Sequence, residues 1–177
     1  MPDGVATADG TTRRADVIIY GTGFKTLDFL APMSVTGLSG RRLHEIWRNG
    51  AEAYLGITVS GFPNFFLLYG PNTNLGGNSI IYMLEAQIGY VLGAIKALED
   101  DRLDWLDVRP EVQREFIAWV DAASRTSVWE SGCHSWYTTP DGRNTNNWPD
   151  HTFLYRHRVR RFDPASYRVM PKRPATA

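Results

Sequence analysis

The 177-residue sequence contains one cysteine and shows no pattern typical of a targeting segment or a membrane span. Because Cys133 stands alone, an internal disulfide is excluded. The first residues do not combine a basic region with an apolar run, so the sequence predicts no targeting segment. The longest apolar stretch, around residues 80–98, is interrupted by Glu85 and Lys96 and is too polar to span a bilayer. These features predict a soluble, cytoplasmic protein.

Patterns typical of metal sites and of activated nucleophiles are lacking. The four histidines have no metal-ligand spacing among themselves or with Cys133. Neighbouring side chains such as Cys133 and His134 cannot easily bind the same ion, so no metal site is predicted. The segment 131–135 (SGCHS) contains candidate nucleophiles, but no strained turn or oriented base accompanies them. The sequence therefore names no catalytic acid, base or nucleophile.

The chain has no net charge, yet its two parts differ in sign. Residues after position 150 carry a net charge of +6, and the preceding residues carry −6. The basic segment is either a patch for nucleic acid or a membrane, or a surface packed against an acidic neighbour. We favour the second interpretation, because apolar residues alternate with the basic ones as core-facing residues would. These apolar residues are Phe153, Tyr155, Val159, Phe162 and Tyr167.

Local patterns predict several elements of secondary structure. Asp9-Gly10 and Asp141-Gly142 are typical of the tight turns of β-hairpins. A short helical turn is expected at residues 43–47 and a strand at 103–108. Pro110 suits the first turn of a helix. In that helix we expect Val112, Phe116, Trp119 and Ala123 on one face.

A longer helix is predicted from residue 80 onward, because apolar residues recur there every three or four positions. Its expected N-cap is Asn78 or Ser79. The apolar positions are Ile80, Leu84, Ile88, Val91, Ile95 and Leu98.

Two segments each join an apolar run to a glycine turn. Residues 16–24 (DVIIYGTGF) predict a short buried strand ending where the backbone can approach a ligand closely. Residues 65–69 (FFLLY) predict a strand buried on both faces, followed by Gly70-Pro71. We expect both strands in a partial parallel sheet covered by the long helix. Because Thr26 stands where a third glycine would be needed, the first turn is not a Rossmann fingerprint by itself.

The turn at residues 70–79 predicts an anion site. A strand, a small polar loop and a helix N-terminus in succession direct free backbone N–H groups and the positive end of a helix dipole toward one point. The alternative interpretation is an ordinary capped connection between a strand and a helix.

Segments 16–24 and 61–85 together resemble the C-terminal portion of the class B flavoprotein monooxygenases, which comprise the Baeyer–Villiger and flavin-containing monooxygenases. Residues 128–148 (VWESGCHSWYTTPDGRNTNNW) resemble the tail of many of these enzymes. The resemblance implies an α/β fold that is part of an FAD-binding, Rossmann-like domain. It implies one domain, 1–177, with a flavin-domain core at 1–125 and a C-terminal extension at 126–177. In the extension, Trp129, Trp136, Tyr137 and Trp148 are expected to be core residues.

The resemblance implies an FAD- and NADPH-dependent oxidoreductase that inserts one oxygen atom from O2 into a ketone, an aldehyde or a heteroatom. Members of the family commonly have Ala-Thr-Gly where this sequence has Gly21-Thr22-Gly23. Ile80 and Ile81 are the implied apolar wall of the substrate pocket. The implied cofactor-binding residues are Thr22, Gly23, Gly70, Pro71, Asn72, Thr73, Leu75, Asn78 and Ser79.

The dinucleotide fingerprints of this family, and the arginine with which its members hold NADP, have no counterpart in the sequence. We therefore expect a fragment of a larger enzyme or a shortened protein, inactive by itself. An exposed apolar face should be covered by the N-terminal flavin and NADPH domains or by a second copy in a homo-oligomer. The alternative function is a truncated, non-catalytic module that binds a partner chain.

Overall fold

The computed structural model describes residues 3–127, 129 and 135–172, which form a mixed α/β structure with small antiparallel sheets. Its strands are β1 (Gly4–Ala6), β2 (Thr12–Arg14), β3 (Leu103–Val108) and β4 (Tyr167–Pro171). Its helices are α1 (Leu43–Ile46), α2 (Ile80–Asp100), α3 (Pro110–Ser124) and α4 (Thr152–Arg158).

Both sheets in the described part of the chain have two antiparallel strands. Strands β1 and β2 pair on either side of the turn at Asp9-Gly10, as predicted. Strand β3, also predicted, pairs with β4, which the sequence pattern did not reveal. A bridge between Thr138 and Asn144 confirms the second hairpin turn, at Asp141-Gly142.

The predicted parallel sheet does not form among the described residues. Residues 16–24 have no strand structure, and the side chains of Val17, Ile19 and Tyr20 are 77%, 92% and 80% exposed. Residues 65–69 likewise form no strand, apart from a bridge between Phe66 and Thr58. The reason is physical: a parallel strand needs hydrogen-bonding neighbours and helices on both faces. No described segment pairs with residues 16–24.

The long helices begin where the sequence predicts. Ser79 is the N-cap of α2, and its Oγ accepts the Tyr82 N–H at 3.4 Å. Pro110 occupies the first turn of α3. The buried face of α2 differs from the predicted stripe, because Ile88 and Ile95 are 44% and 40% exposed. The buried residues are Met83, Ala86, Gln87, Tyr90 and Ala94.

Among the described residues, α2 is the one helix that is long and apolar enough to cross a membrane, judged by length and composition alone. In this structure one face of α2 contacts β3 and α4. Part of its apolar surface therefore belongs to the protein core.

The basic C-terminal segment packs against the rest of the protein. Tyr155, Val159 and Tyr167 are buried, whereas Phe153 is 58% exposed and was wrongly predicted to face the core. Phe162 is partly buried against the same core.

Charged groups of this segment also contact its neighbours. The guanidinium of Arg158 lies 3.9 Å from the centre of a ring of Trp119, and that of Arg156 lies 3.8 Å from the Glu85 carboxylate. On β4, Arg168 lies 3.2 Å from the buried Asp107 carboxylate. Burial raises the pKa of Asp107, against the opposing effects of the Gly61 N–H and Arg168.

Candidate functional site

The turn that precedes α2 is built on buried backbone. Gly70, Pro71, Asn72 and Thr73 are all buried, and the Thr73 hydroxyl donates to the Gly70 carbonyl oxygen at 2.7 Å. A side chain on Gly70 would overlap the backbone of Gly56. The side chains of this part of the turn therefore face the protein interior, and its backbone is held firmly.

Two copies of the tripeptide Asn-Thr-Asn pair with each other beside this turn. The Asn72 N–H donates to the Thr145 carbonyl oxygen, and the Asn74 N–H donates to that of Asn146, both at 3.0 Å. The Asn72 side chain donates to the Asn144 carbonyl oxygen at 2.9 Å. This pairing joins the C-terminal extension to the turn.

The last residues of the turn lead into the exposed end of α2. Asn78 has a left-handed φ of +88°, and its side chain donates to the Thr152 hydroxyl at 2.9 Å. Asn78 Oδ1 accepts the Ser79 N–H at 2.7 Å. The helix itself offers no acceptor to the N–H groups of Ile80 and Ile81. Together with the helix dipole, these groups favour a negative charge at this point.

An open cavity of about 360 Å³ lies at this helix end. One side is formed by Leu75, Gly76, Gly77 and Asn78, so two of the predicted cofactor residues line it. An added Cβ on Gly77 would meet no atom within 4 Å. The cavity can therefore admit a ligand close to the backbone. The other side is formed by Trp129, Trp148, Pro149, Asp150, His151 and Thr152.

The other predicted site residues lie outside this cavity. Thr22 and Gly23 are exposed, and a side chain on Gly23 would overlap the indole of Trp136. Ile80 is half-buried and Ile81 is 63% exposed, and neither lines the cavity. The structure thus gathers residues 70–79 at one place and leaves the first glycine turn elsewhere on the surface.

Sequence reasoning missed the wall formed by residues 148–152. Trp148 is buried, as predicted, and its indole N–H donates to the His151 carbonyl oxygen at 3.2 Å. Trp129 and Tyr137 are half-buried, but Trp136 is 46% exposed and is not a core residue. The repeated Asn-Thr-Asn tripeptide was the available signal, since it marks the two segments that pair.

A larger cavity of about 650 Å³ contains none of the predicted site residues. It is bounded by residues 27–31, the region around α1 and residues 139–141. No group of three or more potential ligands for a metal ion occurs within the described ranges. The predictions made for Cys133 and His134 concern residues outside those ranges.

Comparison with known proteins shows which class of protein this chain resembles. Over most of its length it is similar to Baeyer–Villiger and FAD-binding monooxygenases, and the match is consistent with their C-terminal portion. A Baeyer–Villiger monooxygenase of Pseudomonas aeruginosa is 43% identical over 169 residues, covering 94% of this chain and 32% of that protein. The chain thus spans about one third of the length of this relative. No protein-family model matches the sequence.

Solved structures agree with this class. Cyclohexanone monooxygenase from Rhodococcus sp. Phi1 bound to NADP⁺ superimposes with a TM-score of 0.75 at 21% identity, covering 96% of this chain and 33% of the other. OTEMO in complex with FAD and NADP gives a TM-score of 0.69 at 31% identity, covering 90% and 30%. The resemblance inferred from the sequence is therefore confirmed, and enzymes similar to this chain bind FAD and NADP.

Proposed function

We propose that this chain forms one wall of the flavin site in an FAD- and NADPH-dependent monooxygenase. The observation that carries the proposal is the open cavity at the N-terminus of α2, where Gly77 leaves the backbone accessible. The similarity to FAD-binding relatives supports it. The reaction would insert one oxygen atom from O2 into a ketone, an aldehyde or a heteroatom of a small organic substrate.

The described residues fit a flavin in one respect that can be tested. A reduced flavin carries negative charge on the pyrimidine side of its ring, and the end of α2 favours negative charge. FAD would supply the oxygen-transfer chemistry, and the exposed end of the turn, residues 75–79, would bind and orient the ring. The buried residues 70–73 would hold this end in place. The backbone N–H groups of Ile80 and Ile81 would face its negative side. Thr22 and Gly23 would contact the cofactor from the first glycine turn.

Exposed apolar surfaces support a partner for this chain. Residues 17–24 include four side chains that are at least 77% exposed, and the outer face of α2 exposes Ile81 and Leu92 at 63% and 59%. Such surfaces are typical of interfaces. We propose that the dinucleotide-binding domains cover them, within the same polypeptide or as a separate chain. Residues 16–24 and 65–69 would then join a parallel, Rossmann-like sheet.

We propose that residues 1–177 act as one domain, because residues 72–74 pair with the extension at 144–148. The isolated chain should not oxidise NADPH, because its sequence contains no dinucleotide fingerprint that would place the nicotinamide beside a flavin for hydride transfer. A soluble, cytoplasmic location is our expectation for the whole enzyme. Substrate-dependent NADPH consumption by the purified chain would contradict the proposed dependence on a second part.

A fused enzyme provides the main test. Residues 3–172 would replace the matching segment of the Pseudomonas relative, and the product would be examined for flavin absorbance after purification. We expect bound FAD in the fusion and none in the relative lacking its own C-terminal segment. A folded fusion without flavin would contradict the proposal.

The alternative is a non-catalytic module that binds a partner chain, and the exposed apolar surfaces also favour it. Sedimentation separates the alternatives. A stable homo-oligomer of the isolated chain, together with a fusion that binds no flavin, would favour the module.

A further inference from the structure

A buried glutamine connects α2 to two turns of the backbone. Gln87 is 0% exposed. Its Oε1 accepts the N–H of Tyr69 at 2.9 Å, and its Nε2 donates to the Tyr155 hydroxyl at 2.7 Å. That hydroxyl donates to the carbonyl oxygen of Leu55, also at 2.7 Å. A continuous set of hydrogen bonds thus joins two helices, α2 through Gln87 and α4 through Tyr155, to two loops.

The two loops lie backbone against backbone. Leu55 and Gly56 have left-handed φ values of +56° and +67°, and Tyr69, with a φ of +60°, precedes Gly70. A Cβ on Gly70 would overlap the Gly56 carbonyl oxygen, and a Cβ on Gly56 would overlap the side chain of Thr73. Because neither loop can move without the other, the bonds of Gln87 hold both.

We propose that Gln87 is a positioning residue that sets the Gly70 turn relative to the N-terminus of α2. Gln87 lies about two helical turns after Ile80, so one rigid helix carries both the helix end and the group that holds the turn. The inference rests on the proposed function, since this turn and helix end form the proposed flavin wall. Gln87 itself does not line the cavity and acts through the Tyr69 N–H.

The network requires one acceptor and one donor on the same side chain. An amide provides both, as does a protonated carboxylic acid, whereas an ionised carboxylate only accepts. Burial raises the pKa of Tyr155, so its hydroxyl keeps the proton that it donates to Leu55. A glutamate at position 87 would therefore reproduce the network only while it is protonated, and burial favours that form.

Amide hydrogen exchange at Tyr69 in the 177-residue chain tests the inference directly. Rates would be corrected for intrinsic exchange and compared at about pH 5 and about pH 10, which lie on either side of the pKa values of about 8–9 known for buried glutamates. Gln87→Leu should lower the protection of this amide at least about tenfold at both pH values. Gln87→Glu should match the wild type at acidic pH. At alkaline pH its ionised carboxylate still accepts the Tyr69 N–H but no longer donates to Tyr155, so protection at Tyr69 should lie between those of the wild type and Gln87→Leu. Unchanged protection in both variants would overturn the proposal.

Gln113 on α3 provides a matched control. Its Oε1 accepts the Ser60 N–H at 2.7 Å, which is the same kind of bond to a different loop. Gln113→Leu should lower protection at Ser60 and leave Tyr69 unchanged. If Gln87→Leu lowered protection equally at Tyr69 and at Ala94 within α2, the effect would be general destabilisation, and the positioning role would be refuted.

Titration of the fused enzyme with FAD separates this inference from the proposed function. Gln87→Leu, which removes the acceptor for the Tyr69 N–H, should bind FAD at least about tenfold more weakly than the wild type at acidic and at alkaline pH. Affinity equal to that of the wild type, despite lost protection at Tyr69, would overturn the positioning role. A wild-type fusion that binds no FAD would contradict the proposed function alone, and the exchange experiment would still decide whether Gln87 holds the turn.

Discussion

Replacement of Gly77 by valine tests the candidate site with little expected effect on the fold. An added Cβ at this position meets no atom within 4 Å, and the backbone does not adopt the left-handed conformation that favours glycine. We therefore expect the free energy of unfolding of the isolated chain to change by no more than about 0.5 kcal/mol. Gly76 offers the contrast, because a side chain there would overlap the indole of Trp129.

The effect on flavin binding should be much larger, because the valine side chain would enter the cavity of about 360 Å³. Forcing extra methyl groups into an occupied site costs about 1–3 kcal/mol. That cost corresponds to FAD binding that is about 5- to 150-fold weaker. Fluorescence titration of the fused enzyme would measure it, with the exposed Ala118→Val on α3 as the control of similar bulk. If Gly77→Val leaves FAD affinity and reduction potential unchanged, the turn is merely a connection.

Three further predictions concern the isolated chain. Burial raises the pKa of Tyr167 to about 12. The contribution of this residue to the free energy of unfolding is therefore fully present below pH 10 and is lost as the pH rises toward 12. Above pH 10, Tyr167→Phe should reduce the fall of the free energy of unfolding with pH by up to about 1.4 kcal/mol per pH unit, measured by denaturant unfolding. A fall as steep as that of the wild type would contradict this expectation. Gly23→Ala should destabilise the chain by at least about 1 kcal/mol and shift Trp136 fluorescence, whereas Gly21→Ala should do neither. Ser79→Ala should lower the free energy of unfolding by about 1 kcal/mol, because α2 loses its N-cap. An unchanged thermal unfolding transition would contradict the capping role of Ser79.

Local signals in the sequence predicted α1, α2, α3 and the two hairpin turns, whereas α4 was not predicted. These signals act over a few residues, and contacts with distant segments do not override them. They are Pro110 at the start of α3, Ser79 before α2 and the turn at Asp9-Gly10. The orientation of α2 was harder, because apolar residues lie on two of its faces. Packing against β3 and α4 selects the face that carries Met83 and Tyr90.

The parallel sheet could not be assessed from local pattern, because the strands that complete a parallel sheet are distant from one another in sequence. Residues 16–24 have the composition of a buried strand, yet no described segment pairs with them. For the site, the pattern correctly located the cap and open backbone at the start of α2. It missed residues 148–152, which are held beside the cavity by the pairing of the two Asn-Thr-Asn segments and by the bond from Asn78 to Thr152.

Amide hydrogen exchange of the fused enzyme, measured with and without FAD, tests the central claim most directly. If the end of α2 is a wall of the flavin site, FAD should increase protection at residues 75–81, and Gly77→Val should abolish that increase. Protection that rises instead around the larger cavity, at residues 27–31 and 139–141, with no change at 75–81, would contradict the account.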